Sequence, residues 1–151
     1  MIELLSSIEI RAPAETIWET LTDFPRFRDW NPFIREASGD ARAGGTVHVR
    51  VRSSMAIPLK FHAEVLGSDE PHELRWRGHV LAPWFASGEH TFTLEERVAG
   101  SVHFVQREVF GGVLPRLFSR LLEREALRGF QVMNRALKAR AEAACSAPAR
   151  A

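Results

Sequence analysis

Three polar residues stand among apolar neighbours on two adjacent stretches of this sequence: His90 in "GEHTFTLEER", and Gln106 and Glu108 in "SVHFVQREVF". Both stretches alternate with a period of two, the pattern of a strand with one buried face. On that alternation His90 shares a face with Phe92 and Leu94, while Gln106 and Glu108 share one with Val102, Phe104 and Phe110. A polar group carried into an apolar interior needs a partner, water or a ligand. A turn at Ala99-Gly100 joins the two stretches as a hairpin and sets residue 90 about opposite residue 108. Facing residues on paired strands have Cβ atoms about 5 Å apart, within reach of an imidazole–carboxylate hydrogen bond. Such a pair can exchange protons with a bound molecule, which makes His90 and Glu108 the candidate catalytic residues. The same pair can equally be a self-satisfied structural contact near the end of a sheet, and the sequence leaves both readings open.

Positioning this pair requires a sheet, and the chain reads as one. "ELLSSIEI" (residues 3–10) predicts a first strand. "APAETIWETL" predicts a helix started by Pro13, with Ile17, Trp18 and Leu21 on one face. "PRFRDW" predicts a second short helix, stopped at Asn31-Pro32 because the residue before proline avoids helical angles. Phe24, Phe27, Trp30 and Phe33 then form an aromatic wedge between regular elements. Strands follow at "FIREAS", "TVHVRVRS", "LKFHAEVLGS" and "HELRWRGHV", the last placing Leu74, Trp76 and Gly78 opposite Arg75 and Arg77. In "TVHVRVRS" the alternation sets Val47, Val49 and Val51 against His48, Arg50 and Arg52. With the two stretches above, this predicts an antiparallel meander. After Gly111-Gly112 one long helix is predicted from Val113 to about Ala143, with apolar residues at Leu114, Leu117, Phe118, Leu121, Leu122, Phe130, Met133 and Leu137. Gly129 interrupts it at a cost of up to about 1 kcal/mol against alanine. The domain is expected to span residues 1–145, with 146–151 frayed.

Several function classes are disfavoured. The 20 basic and 19 acidic residues leave a net charge of +1, too balanced for nucleic-acid binding. The N-terminus lacks the charged and apolar regions of a signal peptide, and no window approaches the ~18 apolar residues of a membrane span. One cysteine, Cys145, permits no internal disulfide, and a cytoplasmic location is expected. The six histidines form no HxH or HxxxH pair, and GxSxG, P-loop and GxGxxG signatures are missing. No metal and no cofactor is expected.

The order strand, two short helices, six strands, long helix resembles the helix-grip fold of START domains, birch-pollen-allergen-like proteins and bacterial polyketide cyclase/dehydrase-like proteins, together the SRPBCC superfamily. "APAETIWETLTDF" followed by "WNPFI" is similar to the N-terminal signature of the bacterial branch. "ELRWRG", "GEHTF", "REVFGG" and "MNRALKARAE" resemble its later segments, so the likeness runs from about residue 3 to 143. The resemblance implies an α+β fold in which a curved seven-stranded antiparallel sheet wraps the C-terminal helix and encloses a hydrophobic cavity.

On that implied frame, Trp30 and Phe33 border the entrance, and Trp84, in the loop "VLAPWFASG", lies near the mouth. Trp76, Phe92, Phe104, Gln106 and Phe110 point inward from the sheet; Phe130, Met133 and Asn134 face it from the helix. Arg75 and Arg77 are expected at the surface; Glu125 is expected either there, which is favoured, or facing the cavity. The favoured expectation is a binding module for a small hydrophobic molecule (lipid, isoprenoid, aromatic or polyketide-like), acting as monomer or homodimer. The alternative is a cyclase or dehydratase in which the cavity orients the substrate and His90 with Glu108 moves protons.

Overall fold

β1 (Ile2–Ile10) leads into α1 (Ala14–Thr22), a single 3-10 turn (Phe24–Arg26) and α2 (Phe27–Trp30). Six strands then run in series: β2 (Ile34–Gly39), β3 (Thr46–Val51), β4 (Leu59–Asp69), β5 (Glu73–Val80), β6 (Ala86–Glu96) and β7 (Val102–Gly111). α3 (Val113–Leu117) and α4 (Ser119–Ser146) complete the chain. This computed structural model describes residues 1–52, 59–98 and 100–146. Ser53 of the third predicted strand, Ala99 of the predicted turn and the tail 147–151 lie outside the described residues.

The strands form one antiparallel sheet in the order β1-β7-β6-β5-β4-β3-β2, the expected meander with β1 closing on β7. Alternation explains each face: Val47 and Val49 are buried while His48 between them is exposed. Leu74, Trp76 and Gly78 are buried with Arg77 outside. Register shifts at Ile34/Glu36 and at Val65/Gly67 add a residue to one strand of a pair, a device that bends a sheet.

The aromatic wedge lies between α1 and β2. Asp23 ends α1 with its N–H on the Glu19 carbonyl at 3.0 Å. Asn31 ends α2, and its side-chain oxygen accepts the N–H groups of Phe33 at 3.0 Å and Ile34 at 2.9 Å, spanning Pro32. Between these stops, Phe24 and Phe27 turn inward and meet edge to face at 5.4 Å, and Phe24 reaches Trp76 at 6.2 Å. These rings are core.

α4 crosses the concave face and packs on β1 and α1. Met133, Leu137 and Ala141 are fully buried with Ile10, Ile17 and Trp18. Burying large apolar side chains of this kind stabilises by about 1.5–3 kcal/mol each. The C-terminal half of the helix is therefore packed solid, whereas the half before Phe130 stands over a hollow.

Two expectations need correction. The single helix predicted from Val113 is two: Phe118 leaves helical angles, at φ −119° and ψ 33°. The N–H groups of Val113 and Leu114 are held by the carbonyls of Trp84 at 3.1 Å and Phe85 at 2.9 Å. The first turn is thus tied to the β5–β6 loop, while α4 takes its direction from the sheet. Arg52, assigned to the outer face with His48 and Arg50, lies beyond the end of β3 and borders the hollow. Its N–H donates to the Phe33 carbonyl at 2.8 Å, which carries the β2–β3 pairing one residue past the strand end.

Candidate functional site

A cavity of about 720 Å³ lies between the concave face of the sheet and the helices α3 and α4. From the sheet it is walled by Val49, Phe61, Trp76, His90, Glu108 and Phe110, and from the helices by Leu114, Leu122, Ala126 and Phe130. Two glycines on the wall make room for its side chains. A Cβ on Gly78 would meet the Phe61 ring at 2.8 Å, and one on Gly88 would run into the Glu108 carboxylate. Exposed Arg52, Leu59, His79, Phe118 and Leu121 lie along the same wall, which marks the mouth.

His90 and Glu108 face each other across β6 and β7 in the register His90↔Glu108. Nδ1 of His90 is in contact with Oε2 of Glu108. Both are buried, and both reach the cavity wall. His90 stacks on Phe92 with ring centroids 4.2 Å apart and meets the Phe130 ring edge-on at 5.0 Å. These rings exclude water from one side of the pair.

A second polar layer fixes the imidazole. Nε2 of His90 lies 3.0 Å from Oε1 of Gln106. Nε2 of Gln106 donates to Oδ1 of Asn134 at 2.6 Å and toward the Phe130 carbonyl at 3.3 Å, and Nδ2 of Asn134 donates to Oγ of Ser6 at 3.0 Å. A backbone carbonyl can only accept, so the Phe130 oxygen settles which end of the Gln106 amide turns toward it. Oε1 is left facing His90, and Nε2 of the ring must carry hydrogen to donate to it. A proton between Nδ1 and Glu108 can then exchange, and both groups stand at the cavity wall. Such an arrangement can hold a ligand hydroxyl or carbonyl, or take a proton from a bound molecule and return it.

The remaining predicted residues divide by position. Phe33, Trp76, Phe110 and Phe130 line the cavity. Gln106 and Asn134 lie behind His90. Phe92, Phe104 and Met133 are fully buried in the core, outside the cavity wall. Trp30 packs on Phe27 at 5.2 Å and is absent from the wall. Trp84 is 72% exposed, on the loop beside α3. Residues not singled out for the site include Leu114, Leu121, Leu122 and Ala126; the three- and four-residue spacing of the leucines was their visible signal. Among the described residues, no cluster of three His, Cys, Asp or Glu could hold a metal ion, and no helix is long and apolar enough to cross a membrane.

The model of the family "Polyketide cyclase / dehydrase and lipid transport" matches residues 1–142. The chain belongs to this family. Among solved structures, it is similar to the Zhui aromatase/cyclase from Streptomyces sp. R1128, with a TM-score of 0.79 and 16% identity over 99% of each chain. It is also similar to a START superfamily protein from Mycobacterium smegmatis, with a TM-score of 0.72 and 20% identity over 93% of this chain and 97% of that one. No curated protein matches the sequence. Identities this low establish a shared helix-grip fold, and family and fold together support a ligand-binding or cyclase role.

Proposed function

We propose that this protein binds one small, mainly apolar molecule inside the cavity, for transport, storage or sensing. The observation that carries the reading is the cavity of about 720 Å³, walled mainly by aromatic and aliphatic side chains, with the His90–Glu108 pair on its sheet side and Glu125 on its helix side. Ligand pockets commonly have this size and build, with few polar groups fixing the orientation of an apolar body. A lipid, isoprenoid or aromatic molecule with a single hydroxyl or carbonyl matches it: the body contacts Trp76, Phe110 and Phe130, and the polar atom meets Glu108. Titration with an environment-sensitive apolar dye tests this. Saturable binding at one site, displaced by such molecules, is the expected result; fluorescence that rises linearly with dye and resists displacement would sink it.

One observation favours a second reading, catalysis of cyclisation or dehydration. The His90–Glu108 contact lies at the cavity wall, and the Gln106 contact holds the ring in one orientation. The likeness to an aromatase/cyclase agrees with this. Glu108→Gln discriminates: retained dye affinity with lost turnover of a poly-β-keto substrate assigns catalysis, and unchanged turnover removes Glu108 from it.

A further inference from the structure

Among the described residues, most of the exposed large apolar side chains lie on the β5–β6 loop and around the α3–α4 junction, where Phe118 and Leu121 border the cavity. Leu81 and Trp84 on the β5–β6 loop are 83% and 72% exposed. Beside them, Leu117 and Phe118 at the α3–α4 junction are 71% and 53% exposed, with Val113 and Leu121 adjoining. The two segments are held together by the Val113 and Leu114 hydrogen bonds to the carbonyls of Trp84 and Phe85. Leu59, also exposed, stands on the wall of the same cavity at the start of β4.

This apolar rim is edged with positive charge. Residues 113–128 carry four arginines (Arg116, Arg120, Arg124 and Arg128) against two glutamates, although the chain as a whole is nearly neutral. Arg120 and Arg124 follow Leu117 and Leu121 by three residues, and all four arginines are exposed. Arg52 and Lys60, both exposed, flank the mouth near Leu59. Exposed apolar patches of this kind mark contact surfaces. Basic side chains beside exposed Trp, Phe and Leu suit the interface of an anionic lipid layer, where the rings enter the headgroup level and the cations meet phosphate. A second copy of the chain is a poor occupant, because two-fold pairing through this rim would bring its arginines against each other.

We infer that the rim formed by Trp84, Leu117, Phe118 and Leu121 docks on an anionic lipid surface, with Arg116, Arg120 and Arg124 facing the headgroups. Docking there turns the cavity mouth toward the bilayer, so an apolar ligand exchanges between membrane and cavity without crossing water. That consequence rests on the ligand-binding reading; the docking itself does not.

Trp84 supplies its own probe, since Trp18 and Trp76 are buried and Trp30 is half-buried in the wedge. The full chain is mixed with vesicles of phosphatidylcholine alone or in equal parts with phosphatidylglycerol, and co-sedimentation and tryptophan emission are recorded. The expected result is partition to the anionic vesicles with a blue shift in emission, the shift disappearing in Trp84→Phe while sedimentation persists. Trp84→Ser with Leu117→Ser weakens partition about tenfold or more, through loss of two apolar contacts, and leaves dye binding in the absence of vesicles unchanged. Arg120→Glu with Arg124→Glu weakens partition to anionic vesicles to a similar degree. Failure to sediment with either vesicle at low salt overturns the inference. So does binding that survives Trp84→Ser/Leu117→Ser, or a dimer in sedimentation velocity that the same pair disperses. Loss of dye binding by the wild type would instead refute the ligand reading and leave the docking surface standing.

Discussion

The ring of Phe33 lies against Gly129 of α4, occupying the place a Cβ would take. The same ring meets Phe130 edge to face at 5.7 Å and lines the cavity. A glycine in the helix interior costs up to about 1 kcal/mol of helix propensity, and here the gap it leaves is what the wedge docks into. Gly129→Ala gains that propensity and still destabilises the protein, by about 1–3 kcal/mol, because the ring must leave its rotamer or the helix must lift. Gly129→Ala/Phe33→Leu recovers most of the loss. Urea denaturation of the four proteins of this cycle measures the coupling; simple additivity would show that the two residues do not compete for one space.

Gln106 sets the orientation of His90 without touching the cavity wall. Gln106→Leu leaves Nε2 of His90 and Oδ1 of Asn134 without their buried partner. Each such group costs about 1–3 kcal/mol, so unfolding midpoints drop clearly. The stability loss alone would fit any buried amide. The specific expectation is in the ¹⁵N spectrum of the imidazole: hydrogen stays on Nε2 in the wild type, and both tautomers appear in Gln106→Leu. A wild-type spectrum with Nε2 bare would overturn the assigned chain of donors.

Ala126 faces the cavity from α4, which leaves room for a larger side chain there. Inserting bulk into a packed core strains it, but Ala126→Phe projects into empty volume. The variant should retain its melting temperature within a few degrees and lose most dye binding. A large fall in stability with binding intact would mean that the volume is filled in solution.

Glu142 accepts the Arg11 backbone N–H at 2.9 Å and pairs with Lys138 at 2.7 Å. The hydrogen bonds from Lys138 and from Arg11 hold its carboxyl below the usual glutamate range. A carboxyl lowered in the folded state adds stability that is complete above about pH 4.3, where an unpaired glutamate titrates, and that is lost as pH falls through the lowered value. Glu142→Gln therefore reduces stability near neutral pH by a few tenths of a kcal/mol, as for other exposed helix pairs. The gap to wild type should close in acid. Thermal melts from neutral to acidic pH check this, and a gap that widens on acidification would reverse the assigned sign.

The sheet was legible because its information is local. Alternation in "TVHVRVRS" and "HELRWRGHV" states which side chains share a face, and the short connection from Glu96 to Val102 sets the His90↔Glu108 register. Arg52 escaped this logic because it lies one residue past the strand, where alternation no longer constrains a side chain. The exposure of Trp30 and Trp84 was not legible: an aromatic residue in a stretch broken by proline packs inward or stands exposed according to neighbours distant in sequence.

The sequence by itself determined the order of elements, the faces of the strands and the family, since periodicity and turn chemistry act over a few residues. It also brought His90 and Glu108 together, because a hairpin is the shortest-range tertiary contact a sheet can make. Only the tertiary structure decided that Gln106, Asn134 and Ser6 stand behind the imidazole, and that the helix breaks at Phe118. The hollow belongs to the same class. Its volume is the difference between the space a bent sheet encloses and the side chains that fill it, and that difference depends on every crossing angle and register at once.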